Sequence, residues 1–220
     1  MNNPENKKVA LVTGASRGLG AAMAEALAAD GYHVIAVART TGGLEDLDDR
    51  IQALGGSATL APLDVTNDGA MQHLCRSVHD RWGKLDLWVH AAIHGAPLAP
   101  AGHLDAKDFD KSFSVNARAT ARLIGFVEPL LLAAENGTAV FFDDPRAGQK
   151  FFGSYGASKA AQMAMVESWQ AETVKTGPRV LRFAPDPMPT GLRARFFPGE
   201  DRAVLSDPHT EAAKLMSKLG

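Results

Sequence analysis

The stretch that most constrains this chain is Thr13-Gly14-Ala15-Ser16-Arg17-Gly18-Leu19-Gly20, set between the apolar run Val9-Ala10-Leu11-Val12 and a helical pattern that begins near Leu19. A strand feeds a glycine turn, and the turn opens a helix. Glycines at 14, 18 and 20 permit positive φ, close approach of the backbone to a ligand, and tight packing of the helix on the strand. The first N–H groups of such a helix have no partner within it and carry a partial positive charge, so the natural guest is a phosphate or pyrophosphate. Glycine turns also serve plain strand-to-helix connections, and the rest of the chain has to decide between the two.

Apolar runs and helical periods alternate to the end, without internal repeat or low-complexity linker. Strands are predicted at residues 9–12, 33–38, 58–63, 85–89, 138–142 and 180–184. The first helix puts Leu19, Met23 and Leu27 on one face and stops at Asp30-Gly31; a second covers residues 44–54 and ends at Gly55-Gly56. The third starts at Asp68, read as its N-cap, with Met71, Leu74, Cys75, Val78 and Trp82 at helical spacing, so Cys75 reads as a core residue. After an irregular segment at 90–104, a long helix is predicted over 106–132, kinked or ended near Pro129. Another runs over 155–176 to Gly177-Pro178, a short one lies near Leu192, and the last is capped by Asp207 with Pro208 at its first position. Strands alternating with helices in this way predict an α/β fold: a doubly wound, Rossmann-type parallel sheet with helices on both faces and ligands at the carboxyl ends of the strands.

With 220 residues, 45% of them hydrophobic, the chain is expected to form one domain over 1–220. A formal net charge of −2 offers no electrostatic case for nucleic acid or an anionic membrane. Cys75 is the single cysteine, which excludes an intrachain disulfide and fits a reducing compartment. The polar N-terminus lacks the apolar segment of a signal peptide, and no apolar run approaches the roughly 20 residues of a membrane helix, so a cytoplasmic location is expected. His90 and His94 have metal-pair spacing only on a helix and stand instead at a strand-to-loop junction, so no metal is expected.

The glycine turn resembles the Thr-Gly-x-x-x-Gly-x-Gly of the short-chain dehydrogenase/reductase family, and the resemblance runs on through Asp64, Asn116, Tyr155 with Lys159, and Pro185 with Thr190. Members usually add a seventh strand; here Gly220 comes first, and six strands are expected. The resemblance implies a nicotinamide dinucleotide held by Gly14, Ser16, Arg17, Leu19, Gly20, Ala92, Lys159, Pro185 and Thr190. In it Asp64 accepts from the adenine amino group with the Val65 N–H nearby. The second strand ends in Arg39, with no carboxylate for a ribose 2′-hydroxyl, and Arg17 lies on the same side, so the expected cofactor is NADP(H). Tyr155 and Lys159, four apart on a helix, share one face, and a neighbouring ammonium favours the phenolate of a proton-transferring tyrosine. Asn116 resembles the family asparagine whose helix backbone anchors a water leading to that lysine.

The chain departs from the family pattern in three places. Where Asn-Asn-Ala-Gly is usual, it has His90, Ala91, Ala92 and Ile93; where a serine follows strand five, it has Asp143-Asp144, with Asp144 the favoured occupant; where Pro-Gly is usual, it has Pro185-Asp186. Aspartate in the serine position resembles the pteridine-reductase branch, which reduces a C=N bond. A carboxylate stabilises protonated nitrogen and opposes an oxyanion. The expected function is an NADP(H)-dependent oxidoreductase of small carbonyl, alcohol or C=N substrates; the alternative is a non-catalytic or weakly active NADP(H)-binding regulatory protein that retains the fold. A homodimer is expected through the helices of 106–132 and 155–176, with Ala160, Met163 and Ala164 at its surface.

Overall fold

The structure, a computed structural model, describes residues 7–219; the polar N-terminal stretch noted above lies outside them up to residue 6. Six strands, β1 (Val9–Thr13), β2 (His33–Ala38), β3 (Ser57–Pro62), β4 (Leu87–His90), β5 (Thr138–Phe142) and β6 (Arg179–Phe183), form one sheet in the order β3-β2-β1-β4-β5-β6, every pair parallel. This is the doubly wound α/β architecture that the alternation of runs predicts.

The central strands are apolar at successive positions because both faces are covered. Leu11, Ile35, Trp88 and Phe141 face a layer that includes α3 (Asp68–Trp82), α5 (Ala119–Leu132) and α6 (Gly153–Glu172). Val12, Ala36, Val89 and Val140 face α1 (Gly18–Ala29), α2 (Thr41–Ala53) and α8 (Pro208–Leu219). The chain runs from β1 outward to β3, then crosses back to β4 beside β1. The strand order therefore reverses between β1 and β4, with Thr13 and His90 at their carboxyl ends, the position where sheets of this topology bind their ligands. Among the described residues no helix is long and apolar enough to cross a membrane.

Several expected boundaries move. The N-cap of α3 is Asn67, whose Oδ1 accepts from Ala70 N; Asp68 is the first helical residue and pairs instead with Arg118 and Arg122. β4 runs Leu87–His90, and Asp86 just before it ties the start of β1, its carboxylate accepting from Val9 N and Lys84 Nζ. The rod expected over 106–132 is three consecutive pieces: α4 (Ala106–Ser112), a π-helical turn Phe113–Arg118, and α5, in which Pro129 sits within the last turn without ending it. α6 begins two residues earlier than expected and ends at Glu172, with Thr173 as C-cap, short of Gly177. Asp207 caps α8 as expected, its Oδ1 accepting from His209 N. Cys75 is buried in the core, where burial pushes its thiol up to about 11.

Candidate active site

The glycine turn closes between β1, β2 and β4. Gly14 N and Ala15 N both donate to Val37 O at the end of β2, which bends the chain sharply after Thr13. Gly14 has φ of +77°, and a Cβ there would lie 2.6 Å from the Ala91 carbonyl carbon and the Ala92 nitrogen; a Cβ on Gly20 would lie 2.2 Å from Gly14 O. Only glycine fits either position. No side chain caps α1, whose N-cap residue is Arg17, so its first N–H groups remain available to an anion.

Around the turn, Ser16 packs against Gly43 of α2, and Leu19 is buried in the core. Arg39 follows β2, largely exposed, 4.0 Å from Asp64 Oδ2. Asp64 spends its Oδ1 on Thr66 N and Oγ1. Burial opposes its charge, but the Thr66 hydrogen bonds with the Arg39 and Lys111 cations outweigh it, and its carboxyl sits below its ordinary value. Val65 turns into the core. Thr190 is the N-cap of α7 (Gly191–Phe196): its hydroxyl accepts from Arg193 N, while its methyl group lies against Gly18. The same helix start brings Gly191 beside the Arg17 guanidinium.

Tyr155, Lys159, Asn116 and Asp144 gather at the carboxyl ends of β4 and β5. Tyr155 Oη donates to Asp144 Oδ2 at 2.9 Å, which identifies Asp144 as the aspartate facing the tyrosine. Asp143 anchors its backbone N–H on Phe183 O. The expected ammonium-to-phenol contact is not formed. Lys159 Nζ donates to Phe142 O and to Gln162 Oε1, and burial lowers it to about 8 although Asp143 and Asp144 favour its charge. Tyr155 is raised well above its ordinary value, first by burial and then by the charge and hydrogen bond of Asp144; the Arg146 cation works the other way. With a carboxylate at hydrogen-bond distance, the neutral phenol is the favoured form.

Asn116 lies in the π-helical turn, a distortion frequent at functional sites. Its side chain holds the 90–104 segment by accepting from His94 N and donating to His94 O, and it also donates to Ser158 Oγ. Its carbonyl accepts from the Thr120 hydroxyl.

Two of the three departures cost the backbone nothing. Among the described residues the one non-glycine at positive φ is Phe151, so Ile93 and Asp186 stand where the family has glycine without left-handed strain. Asp186 staples α8, its N–H donating to Glu211 and its carboxylate accepting from Lys214. Ile93 joins Leu98, Leu192 and Phe197 around a cluster of Phe152, Tyr155 and Phe196.

Sequence reasoning missed five participants. His90 and Thr120 belong to the buried polar set behind Lys159. Phe196 covers Tyr155, with ring centroids 4.8 Å apart, on a helix that Arg195 ties to Gly95 O. Arg146 places its Nε 2.8 Å from Asp144 Oδ1 and its guanidinium over the Phe152 and Phe197 rings. Gln162 was within reach of sequence reasoning: an amide three residues past a helical lysine shares its face.

A family model described as "short chain dehydrogenase" matches residues 8–201. The chain belongs to that family. It is 32% identical over 171 residues to a fatty acyl-CoA reductase of Acinetobacter baylyi, covering 76% of this chain and 58% of that protein. A sorbitol dehydrogenase of Cereibacter sphaeroides is 30% identical over 182 residues, with 81% of this chain and 69% of that one covered. A putative short chain dehydrogenase of Escherichia coli, solved as a complex with NADPH, superposes with a TM-score of 0.90 at 28% identity, covering 99% of this chain and 93% of that one.

Proposed function

We propose that this chain is an NADP(H)-dependent oxidoreductase of a small carbonyl, alcohol or C=N substrate, with Tyr155 as proton donor or acceptor. The observation that carries this reading is the meeting of Tyr155, Asp144 and Lys159 at the carboxyl ends of β4 and β5, next to a glycine turn whose helix no side chain caps. The residues fit the dinucleotide. Gly14 and Gly20 leave no room for a Cβ, the α1 N–H groups suit a pyrophosphate, and Arg17 and Arg39 suit a ribose 2′-phosphate. Asp64 keeps Oδ2 clear of Thr66 for an adenine amino group. Ser16, Leu19, Val65, Ala92, Pro185 and Thr190 complete the binding set. When bound, the nicotinamide supplies or takes the hydride.

The chain's own residues manage the proton and the charge. Tyr155 delivers its proton to substrate after turning from Asp144, and Lys159 holds positive charge behind it. Asp144 accepts from Tyr155 on Oδ2, and its Oδ1 is ion-paired with the Arg146 guanidinium, whose Nε lies 2.8 Å away. Such a group opposes negative charge growing on a carbonyl oxygen and favours a protonated C=N, whose positive charge disappears as hydride arrives. Substrates of the second kind are therefore preferred.

One observation favours the non-catalytic reading: Tyr155 is only 2% exposed, under Phe196 and tied to Asp144. NADPH absorbance, followed with a panel of ketones and cyclic imines, separates the two. Turnover that Tyr155→Phe abolishes is the expected result. Binding of NADPH without turnover would establish the alternative, and absence of NADPH binding would reject both.

A further inference from the structure

Behind the candidate catalytic lysine runs a closed chain of buried polar groups. Lys159 Nζ donates to Gln162 Oε1 at 2.6 Å, and Gln162 Nε2 donates to Thr120 Oγ1 at 2.8 Å. Thr120 Oγ1 lies 2.9 Å from Asn116 O and 3.1 Å from His90 Nε2, and His90 Nδ1 lies 2.8 Å from Thr13 Oγ1. Lys159, Gln162, Thr120, His90 and Thr13 come from α6, α5, β4 and β1, and none is more than 5% exposed.

The distances orient every group. The other contact of the Thr13 hydroxyl, Val89 O, is 3.5 Å away, too long for an O–H donor, so Thr13 donates to His90 Nδ1. Thr120 spends its proton on Asn116 O. His90 must then donate from Nε2 to Thr120, a neutral ring with one assigned tautomer. Burial, joined by the Lys159 cation, holds that imidazole down at about 3 and keeps it neutral. The Gln162 amide is fixed from both ends: flipped, it would set an NH2 against an ammonium and a carbonyl oxygen against a hydroxyl whose proton is already used. An amide does not pass protons at neutral pH, so the chain is an orienting strut and not a proton wire.

We propose that Gln162 is a positioning residue for Lys159, held by Thr120 and His90 so that its carbonyl oxygen fixes the ammonium at the carboxyl end of β5 and keeps it charged. The role rests on the oxidoreductase reading, which gives Lys159 its task. The charged and titratable groups around Lys159 are Asp143 and Asp144 beyond β5, with Arg146 paired to Asp144, Glu167 lining the same cavity on α6, and the neutral His90 on β4; Tyr155, one turn earlier on α6, makes no contact with the ammonium.

The test is a nitrogen-15 NMR titration of Lys159 in cofactor-free protein, its signal identified by its loss in Lys159→Met. The wild-type midpoint is expected near 8. Gln162→Met removes the acceptor and should lower the midpoint by about one pH unit, while Gln162→Glu places a carboxylate there and should raise it by about as much. If the methionine variant does not fold, the glutamate variant decides alone. A midpoint unmoved in the folded variants overturns the proposal. The alkaline limb of NADPH-dependent turnover should move in the same directions as the midpoint. Because the titration needs neither cofactor nor turnover, a shifted midpoint in a protein inactive on every substrate retains the strut and rejects the oxidoreductase reading. An unshifted midpoint in an active enzyme rejects the strut alone.

Discussion

At the scale of single residues, charge placed next to Tyr155 is what distinguishes this site. Asp144 holds the tyrosine hydroxyl at 2.9 Å; on the proposed reading it takes the place of the family's hydroxyl donor, an exchange that would reverse the sign of the charge stabilised there. Asp144→Ser should raise ketone reduction by about tenfold or more and lower imine reduction, since one positioned donor is typically worth about a hundredfold or more in rate. Steady-state rates on matched ketone and imine substrates check this, and equal rates for the variant and the wild type on both would reject the role. Cofactor choice is also a single-residue matter. Arg39 is largely exposed and, among the described residues, pairs only with Asp64, at 4.0 Å, so its guanidinium can turn to a 2′-phosphate at little cost. Arg39→Asp should lower the NADPH-to-NADH affinity ratio by about tenfold or more in a titration of both cofactors, and an unchanged ratio would remove Arg39 from the site.

Among the elements, the glycine turn and the helix it opens make the most exacting fit. Gly14→Ala should destabilise by about 2 kcal/mol or more in denaturant unfolding and weaken NADPH binding, because left-handed strain adds to the overlap with Ala91. Gly31, at φ of +87° with open space around its Cβ position, is the control: Gly31→Ala should cost only the strain, about 1 kcal/mol, and leave binding intact. The sequence made this element legible because its glycines answer to local backbone geometry. The strands were legible for a similar reason, since burial on both faces leaves a continuous apolar run. The buried strut was not. His90, Thr120 and Gln162 acquire meaning only when β4, α5 and α6 meet, and each alone is an ordinary polar residue near an apolar stretch. The direction of Lys159 was hidden too: spacing on α6 puts Tyr155 and Lys159 on one face, but the Phe142 carbonyl and Gln162 draw the ammonium away from the phenol.

For the whole molecule, the reversal of strand order between β1 and β4 gathers the glycine turn, Asp144 and Lys159 at one edge and leaves the outer face of α6 for other contacts. There Ala157, Ala160 and Ala164 are exposed at helical spacing, whereas Met163, expected with them, is buried in the core. Small side chains let two helices approach to about 8 Å, and a twofold axis would bring α6 against its own copy. A stable pair buries roughly 1,200 Å² or more, so such an interface would extend beyond these alanines. A homodimer through this face should therefore appear in light scattering at micromolar concentration. Ala160→Arg would set like charges opposite each other across the axis, so that variant should run as a monomer with an unchanged circular dichroism spectrum. A monomeric wild type would reject the dimer. A dimer indifferent to both Ala160→Arg and Ala164→Arg would reject α6 as its interface.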